Sequence, residues 1–432
     1  MKDALVHGVR NIFPSRLVKG LELTYRKARV QAVSARYGYP AKKLKVIAVT
    51  GTNGKTTTVN FINEILKEAG LKTAMFSTAQ IEIDGKKKLN SLNATVGSTA
   101  LMQRFFLSAK RKKVDYVVME FPSHAIDQHK LDTVPVEVAI MTNLTQDHLD
   151  YHGTMENYAA VKAKLFKKSP SYIVLNSDDE WYDYFNEYQA AIHKIDYGTS
   201  EAAEAKIDDI VLYKKGTEAM VTIDHQTKLT LTTALPGRFN AYNMVAAASA
   251  CYLLGIDLEH IVEGVANLEG IPGRYERVEV DAPYDVIVDY AHTPDALDKL
   301  LQPVGSSESR RKILVFGACG DRDASKRPIM GKIAAENVDR IILTDEESYN
   351  EDPAQIRDQI FEGIRDVKGG EAKTTEIPDR RDAIKKALDV AKKGDVVYIT
   401  GMGHEQFRVI RGKKIPWNDV EVVKELFTEK LA

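Results

Sequence analysis

Lys45–Thr50 (KVIAVT) followed by Gly51-Thr52-Asn53-Gly54-Lys55-Thr56-Thr57 is the stretch on which the fold turns. The first six residues read as a buried strand. Beyond the glycines, Val59, Ile62, Ile65, Leu66 and Ala69 fall at helical spacing until Gly70 stops the run. A glycine-rich loop between a strand and a helix can wrap a phosphate, because its amide N–H groups point inward and the helix N-terminus favours negative charge. Lys55 then reaches the outer phosphates and Thr56 a magnesium ion. The usual pattern opens with glycine where this chain has Val49. A glycine-rich turn without a ligand is the plainer alternative, and it leaves Lys55-Thr56-Thr57-Thr58 without a reason.

Working outward, Asp115–Glu120, Val138–Leu144 and Tyr172–Asn176 are further short apolar runs, each followed by a helical stretch. This alternation predicts an α/β fold with a mostly parallel sheet. Between about Ala202 and Ala234 the pattern becomes short and alternating, an antiparallel excursion, and helical sequence returns at Asn240–Leu254. The punctuation Gly270-Ile271-Pro272-Gly273-Arg274 reads as a junction. A second series then begins with Asp285–Asp289, Lys312–Phe316, Arg340–Leu343 and Asp395–Thr400. The expected division is a short basic helical arm (1–44), a central P-loop ATPase domain (45–270) and a C-terminal Rossmann-like α/β domain (271–432), the two domains facing a shared cleft.

With 432 residues and 44% hydrophobic content the chain can bury cores for such domains. Its net charge of -1 asks for no nucleic-acid partner. No apolar run reaches the ~18 residues of a membrane span, and the start lacks a secretory signal, so a cytoplasmic location is expected. Cys251 and Cys319 are far apart and read as reduced and structural. Charge is concentrated in the arm, where lysines and arginines interleave with Leu17, Val18, Leu21, Leu23, Tyr25 and Val30. Such a helix suits substrate phosphates or weak contact with an anionic membrane surface. A solvated helix packed on the ATPase domain is the simpler account.

Polar residues at the carboxyl ends of parallel strands converge on the ligand crevice. Glu120 ends one strand, and Asn143, Asp147 and His148 follow the next. Glu120 and His148 are therefore candidate magnesium ligands, although either alone could be an ordinary surface residue. Lys162 lies on the face of Tyr158, Leu165 and Phe166 in a predicted helix over Met155–Lys168, and so points inward. A desolvated amine can take up carbon dioxide and become an anionic carbamate, a metal ligand. A lysine snorkelling past apolar neighbours is the alternative.

These residues resemble a known family. The loop 49–57, Glu120-Phe121-Pro122-Ser123-His124, the run 142–153 (TNLTQDHLDYHG), 235–240 (LPGRFN), 289–295 (DYAHTPD), 320–323 (GDRD) and 401–405 (GMGHE) occur in the order seen in the Mur ligases. The resemblance extends from about residue 45 to the C-terminus and implies an ATP-dependent amide ligase of peptidoglycan synthesis. The implied reaction adds the third stem-peptide residue to UDP-MurNAc-dipeptide through an acyl phosphate, with ATP and Mg2+. It implies that Lys55 and Thr56 serve phosphate and metal, that Glu120 and His148 bind magnesium, and that Lys162 is the carbamylated lysine. Asn243, Arg274, Asp289 and His292 would flank the nucleotide. Thr95, Ser123, Gln128 and Lys130 would line the muramoyl peptide, with Lys130 standing where arginine is common. Arg322 and Glu405 would face the incoming amino acid.

Two departures shape the expectation. Full-length relatives hold uridine diphosphate on an N-terminal domain of roughly 100 residues, and an arm as short as this one does not build an independent core; the acceptor's head group stays open. Relatives that use diaminopimelate carry Asp-Asn-Pro-Arg where this chain has Glu346-Glu347-Ser348-Tyr349. Tyr349 cannot make the bidentate guanidinium contact to a distal carboxylate. A side-chain ammonium, such as that of lysine, suits Glu346 or Glu347 better. A related ligase acting on another carboxylate, such as a folyl polyglutamate acceptor, and a nucleotide-gated binding protein without turnover are the other readings. The oligomeric state is not legible.

Overall fold

The computed structural model describes residues 15–92, 95–302 and 310–431. An 11-stranded sheet carries the first part of the chain, in the order β11-β10-β9-β8-β7-β6-β1-β5-β2-β3-β4. Its centre is parallel: β1 (Lys45–Thr50) lies between β5 (Tyr116–Glu120) and β6 (Val138–Met141), with β2 (Thr73–Phe76) beyond β5 and β7 (Tyr172–Asn176) and β8 (His193–Gly198) beyond β6. Alternation along β1 decides the layers. Ile47 and Val49 face a core with Val59, Ile62 and Ile65 of the helix Lys55–Glu68. Val46 and Ala48 face the opposite core with Met102, Phe105 and Phe106 of the helix Thr99–Lys112. A strand covered on both faces reads as continuously apolar, as KVIAVT does.

The antiparallel excursion is β9 (Ala205–Tyr213), β10 (Gly216–Ile223) and β11 (Thr227–Thr233), and it continues the same sheet through the parallel pair β8–β9. At the other edge a second antiparallel addition, β3 (Gln80–Ile83) and β4 (Lys86–Leu89), was not anticipated. Both strands are only four residues long: β3 (QIEI) alternates too briefly to stand out, and β4 is almost all lysine and presents no apolar pattern.

Several predicted limits move. The strand expected to run to Leu144 stops at Met141, because Thr142 Oγ1 turns to donate to Asn53 O at 2.6 Å. The helix expected over Met155–Lys168 ends at Ala163 and is followed by a 3-10 turn at Phe166–Lys168. Pro170 disfavours right-handed helical dihedrals at Ser169, which adopts φ 50° instead. The helix expected from Asn240 starts at Arg238, with Gly237 before it at φ 109°.

The second sheet is six-stranded, in the order β12-β13-β17-β14-β15-β16. Here β13 (Asp285–Asp289), β17 (Val396–Thr400), β14 (Lys312–Phe316), β15 (Arg340–Leu343) and β16 (Thr374–Glu376) are parallel, and the short β12 (Glu276–Arg277) is antiparallel. The arm forms a helix, Ser15–Arg36. Its buried Val30, the buried contact Ser34 Oγ···Thr133 Oγ1 (3.2 Å) and the bond from Arg26 to Tyr151 (3.2 Å) seat it on the first unit. The side chains of Leu17, Val18 and Leu21, and all of residues 1–14, lie outside the described residues. No described helix is long and apolar enough to cross a membrane.

Candidate active site

A cavity of about 1150 Å³ lies between the two sheets, at the carboxyl ends of β1, β5 and β6 on one side and of β13 and β17 on the other. The glycine-rich loop forms its floor. Val49 occupies the place of the first glycine of the usual loop because it is still in the ladder, paired with Glu120 and Ile140 and fully buried. The turn begins only at Gly51 (φ 144°), where a Cβ would come within 1.9 Å of Thr142 Oγ1. At Gly54 (φ 84°) a Cβ would meet Asn243 Oδ1 at 2.3 Å, so the glycine is what lets Asn243 lie against the loop. Lys55 crosses its own loop, donating to Gly51 O (3.0 Å) and Thr52 O (2.6 Å). Burial lowers the pKa of its ammonium, partly offset by the charge of Glu120.

The strand register places Glu120 level with the loop. It is fully buried, and Thr78 holds both carboxylate oxygens, through its amide at 2.6 Å and its hydroxyl at 2.9 Å. The same hydroxyl meets Thr95 Oγ1 at 2.8 Å, which joins an acceptor candidate to a metal candidate. His148 has φ 56°; its Nε2 is 3.3 Å from Asp147 Oδ2, and its Nδ1 is buried without a partner. Lys162 is 1% exposed, donates to Gly51 O at 2.7 Å and lies 4.5 Å over the Tyr158 ring. It points inward, as the spacing predicted. Burial, then the charge of Lys55, drives its pKa well below that of an ordinary lysine.

Among the described residues no group of three His, Cys, Asp or Glu side chains could hold a metal by itself. Magnesium, however, commonly keeps waters and substrate phosphates and needs only one or two protein ligands. A buried carboxylate at Glu120, an orphaned imidazole nitrogen at His148 and the Thr56 hydroxyl beside the phosphate loop fit an ion carried in by a triphosphate.

The second sheet supplies the opposite wall. Arg274 donates to Thr56 Oγ1 at 3.1 Å and its guanidinium lies 4.6 Å from the centre of the Tyr290 ring. Asp289 lines the cavity, but its oxygens accept from Tyr275 N (2.6 Å) and Ala291 N (2.7 Å), so it shapes the turn after β13. His292 Nδ1 is 2.8 Å from Tyr290 O, and burial holds its pKa down at about 4. Arg322 lies 5.1 Å over the Tyr349 ring. Glu347 accepts from Tyr349 Oη (3.1 Å) and Val409 N (2.9 Å), and Glu405 accepts from Tyr290 Oη at 3.5 Å. Burial, then the charge of Glu347, pushes the Glu405 carboxyl up to about 8.

Most of the predicted residues line this one cavity, including Gln128 and Lys130 toward the acceptor side. Four stand behind it. Gly51 and Lys162 support the loop from below, Ser123 pairs with His152 Nε2 at 2.9 Å, and Glu346 accepts from Cys319 at 2.8 Å with its Oε2 buried and unpartnered. Cys251 is a buried core residue, whereas Cys319, expected to be only structural, also lines the cavity. Sequence reasoning missed Thr78, the pair Tyr242 Oη–Asp178 Oδ2 (2.7 Å) and Lys326, all of which line the cavity. None carries a spacing signal.

Comparison with known proteins identifies the family. Residues 49–251 match the Mur ligase middle domain, and residues 273–403 match the Mur ligase glutamate ligase domain. The UDP-N-acetylmuramoyl-L-alanyl-D-glutamate–2,6-diaminopimelate ligase of Clostridium botulinum is 40% identical over 407 residues, which is 94% of this chain and 82% of the relative. That of Geobacillus kaustophilus is 38% identical over 413 residues, 94% of this chain and 83% of the relative. A solved structure of a ligase of the same name superposes with a TM-score of 0.62 at 31% identity, covering 94% of this chain and 82% of that one. The folylpolyglutamate synthase of Mycobacterium tuberculosis, at 18% identity and a TM-score of 0.72, covers 93% of this chain and 95% of its own and shares the fold. Two family domains matched in order, and relatives this similar over most of their length, establish that the chain belongs to the Mur ligase family, ATP-dependent ligases that join an acid to an amino acid.

Proposed function

We propose that this cleft adds the third residue of the peptidoglycan stem peptide to a UDP-linked muramoyl dipeptide, the acceptor named for its relatives. The observation that carries the reading is one cavity bounded by the phosphate loop, the acceptor candidates Thr95, Gln128 and Lys130, and the wall of Arg322, Glu347 and Glu405. Nucleotide, acid and amine can meet there.

The acceptor carboxylate must attack the γ-phosphorus of ATP, and two anions approach only if positive charge lies between them. Lys55 and the loop amides supply part of it. Magnesium held by Glu120, His148 and Thr56 would supply the rest as a Lewis acid. A carbamate on Lys162 would buttress that site from below, where the amine already lies under Gly51. ADP then leaves an acyl phosphate on the acceptor. Lys130, whose ammonium donates to Gly97 O at 2.5 Å, is placed to hold the acceptor's far end. The amine of the amino acid attacks the acyl carbon and phosphate departs, while the closed second sheet keeps water from the intermediate.

The wall facing the amino acid carries the carboxyl groups of Glu347 and Glu405 beside the guanidinium of Arg322. Such a wall suits an amino acid whose α-carboxylate meets Arg322 and whose side chain ends in an ammonium. Lysine fits this description better than diaminopimelate, whose distal carboxylate would face Glu347. The test is phosphate release with UDP-linked and unlinked muramoyl peptides crossed against a panel of amino acids. Turnover that ignores the muramoyl dipeptide would sink the acceptor assignment, and preference for diaminopimelate over every other amino acid would sink the assignment of the amine.

A further inference from the structure

The loop Thr145–His148 meets the second sheet in contacts that the reaction above does not use. Gln146 Nε2 donates to Ser325 Oγ at 3.0 Å and to Asp323 Oδ2 at 3.3 Å, gripping the turn that begins the helix Lys326–Asn337. One residue on, Asp147 Oδ1 lies 3.4 Å from Lys326 Nζ, with the two side chains 6% and 4% exposed. The other oxygen of that carboxylate is 3.3 Å from His148 Nε2 and 3.9 Å from His292 Nε2. A single buried carboxylate thus holds the ammonium of one sheet with one oxygen and the metal-candidate imidazole of the other with the second.

Three physical points give this arrangement a meaning. Opposite charges buried across a cleft lose in desolvation about what they gain in attraction, so the pair contributes little net force for closing. Its geometry is nonetheless specific, because an unpaired ammonium cannot stay in so dry a place. His148 also sits at φ 56°, a conformation that a non-glycine residue keeps only when its surroundings fix it.

The geometry points to Lys326 as a positioning residue: by docking on Asp147 when the two sheets close, it fixes the carboxylate that orients His148, so the triphosphate site is complete only in the closed enzyme. This rests on the ligase reading of the cleft. It makes closure a condition of chemistry, which is a known route to specificity.

The test compares Lys326→Met, Lys326→Arg and Gln146→Ala with the unaltered protein. Two readouts are taken: phosphate released per amide bond formed, and the radius of gyration with magnesium and a non-hydrolysable ATP analogue. Lys326→Met should lower kcat about 10²-fold, the scale of a misplaced catalytic group, with the KM for ATP nearly unchanged. Phosphate released per amide should rise, because a loosely closed cleft admits water, and the analogue should no longer compact the protein. Lys326→Arg should restore part of each. Gln146→Ala strands no charge; it should move the same readouts less, and it decides the matter if Lys326→Met does not fold. Compaction and coupling like those of the unaltered protein, or a loss of rate with unchanged coupling and a lower melting temperature, overturns the assignment. If the unaltered protein forms no amide with any acceptor, the functional reading fails by itself and the scattering comparison still judges Lys326.

Discussion

Replacing Thr78 by valine keeps the shape of the side chain and removes one atom that matters. The Thr78 hydroxyl donates to Glu120 Oε2 at 2.9 Å and contacts Thr95 Oγ1 at 2.8 Å, while the Thr78 amide, which valine retains, holds Glu120 Oε1 at 2.6 Å. Glu120 is fully buried, so no water replaces the lost donor. A hydrogen bond to a charged group contributes about 1.5–3 kcal/mol. If that energy fixes Glu120 where the reaction needs it, kcat should fall by roughly 10- to 150-fold at 1.4 kcal/mol per tenfold. Nucleotide affinity should change little, because the phosphate loop is untouched. The assay is steady-state phosphate release with saturating amino acid, beside calorimetric titration of the ATP analogue. A kcat within twofold of the unaltered protein, or a fall matched by an equal loss of nucleotide affinity, would refute the placement of Glu120 at the reacting phosphate.

Three further outcomes are expected. Glu347→Asn with Tyr349→Arg should shift the ratio of kcat/KM toward diaminopimelate by about 10- to 100-fold, the worth of one charge-assisted bidentate contact; an unchanged ratio in competition assays removes Glu347 and Tyr349 from amino-acid selection. The Glu405 carboxyl titrates at about 8 and is mostly protonated at neutral pH, so a dibasic amino acid that needs its charge should bind better as pH rises toward 8. That rise should vanish in Glu405→Gln, and a pH-independent KM would exclude the carboxylate from ammonium binding. Scrubbing carbon dioxide should lower activity and bicarbonate should restore it if Lys162 acts as a carbamate; intact mass at Lys162 without added carbon dioxide, together with indifference to bicarbonate, would reject it.

Features fixed by local pattern were legible. The loop, its strand and its helix follow from nine apolar residues and three glycines, and the inward orientation of Lys162 was legible because Tyr158 and Phe166 share its side of the chain. Glu120 and His148 follow from topology, since parallel strands bring their carboxyl ends together. Thr78 and Lys326 were not legible, because their roles depend on which segments meet in space: one reaches Glu120 from the turn between β2 and β3, the other reaches Asp147 from a helix packed on the second sheet. The edge strand β4 was hidden by its own composition, because lysines that keep an edge from pairing with another chain also erase the strand signal. Ser169-Pro170 marks where the helical stretch after Met155 must stop, but the change from α-helix to a 3-10 turn beyond Ala163 has no signal in the apolar spacing.

The described backbone passes from one sheet to the other only near Ile271, and the two sheets have no strand in common. Whatever the amino-acid side registers about the state of the nucleotide must therefore travel through side-chain contacts such as Asp147–Lys326 and Gln146–Ser325, and not along a continuous ladder. Such messages are cheap to rewrite: a few substitutions on the facing walls can retune when the halves agree, while each half keeps its own architecture.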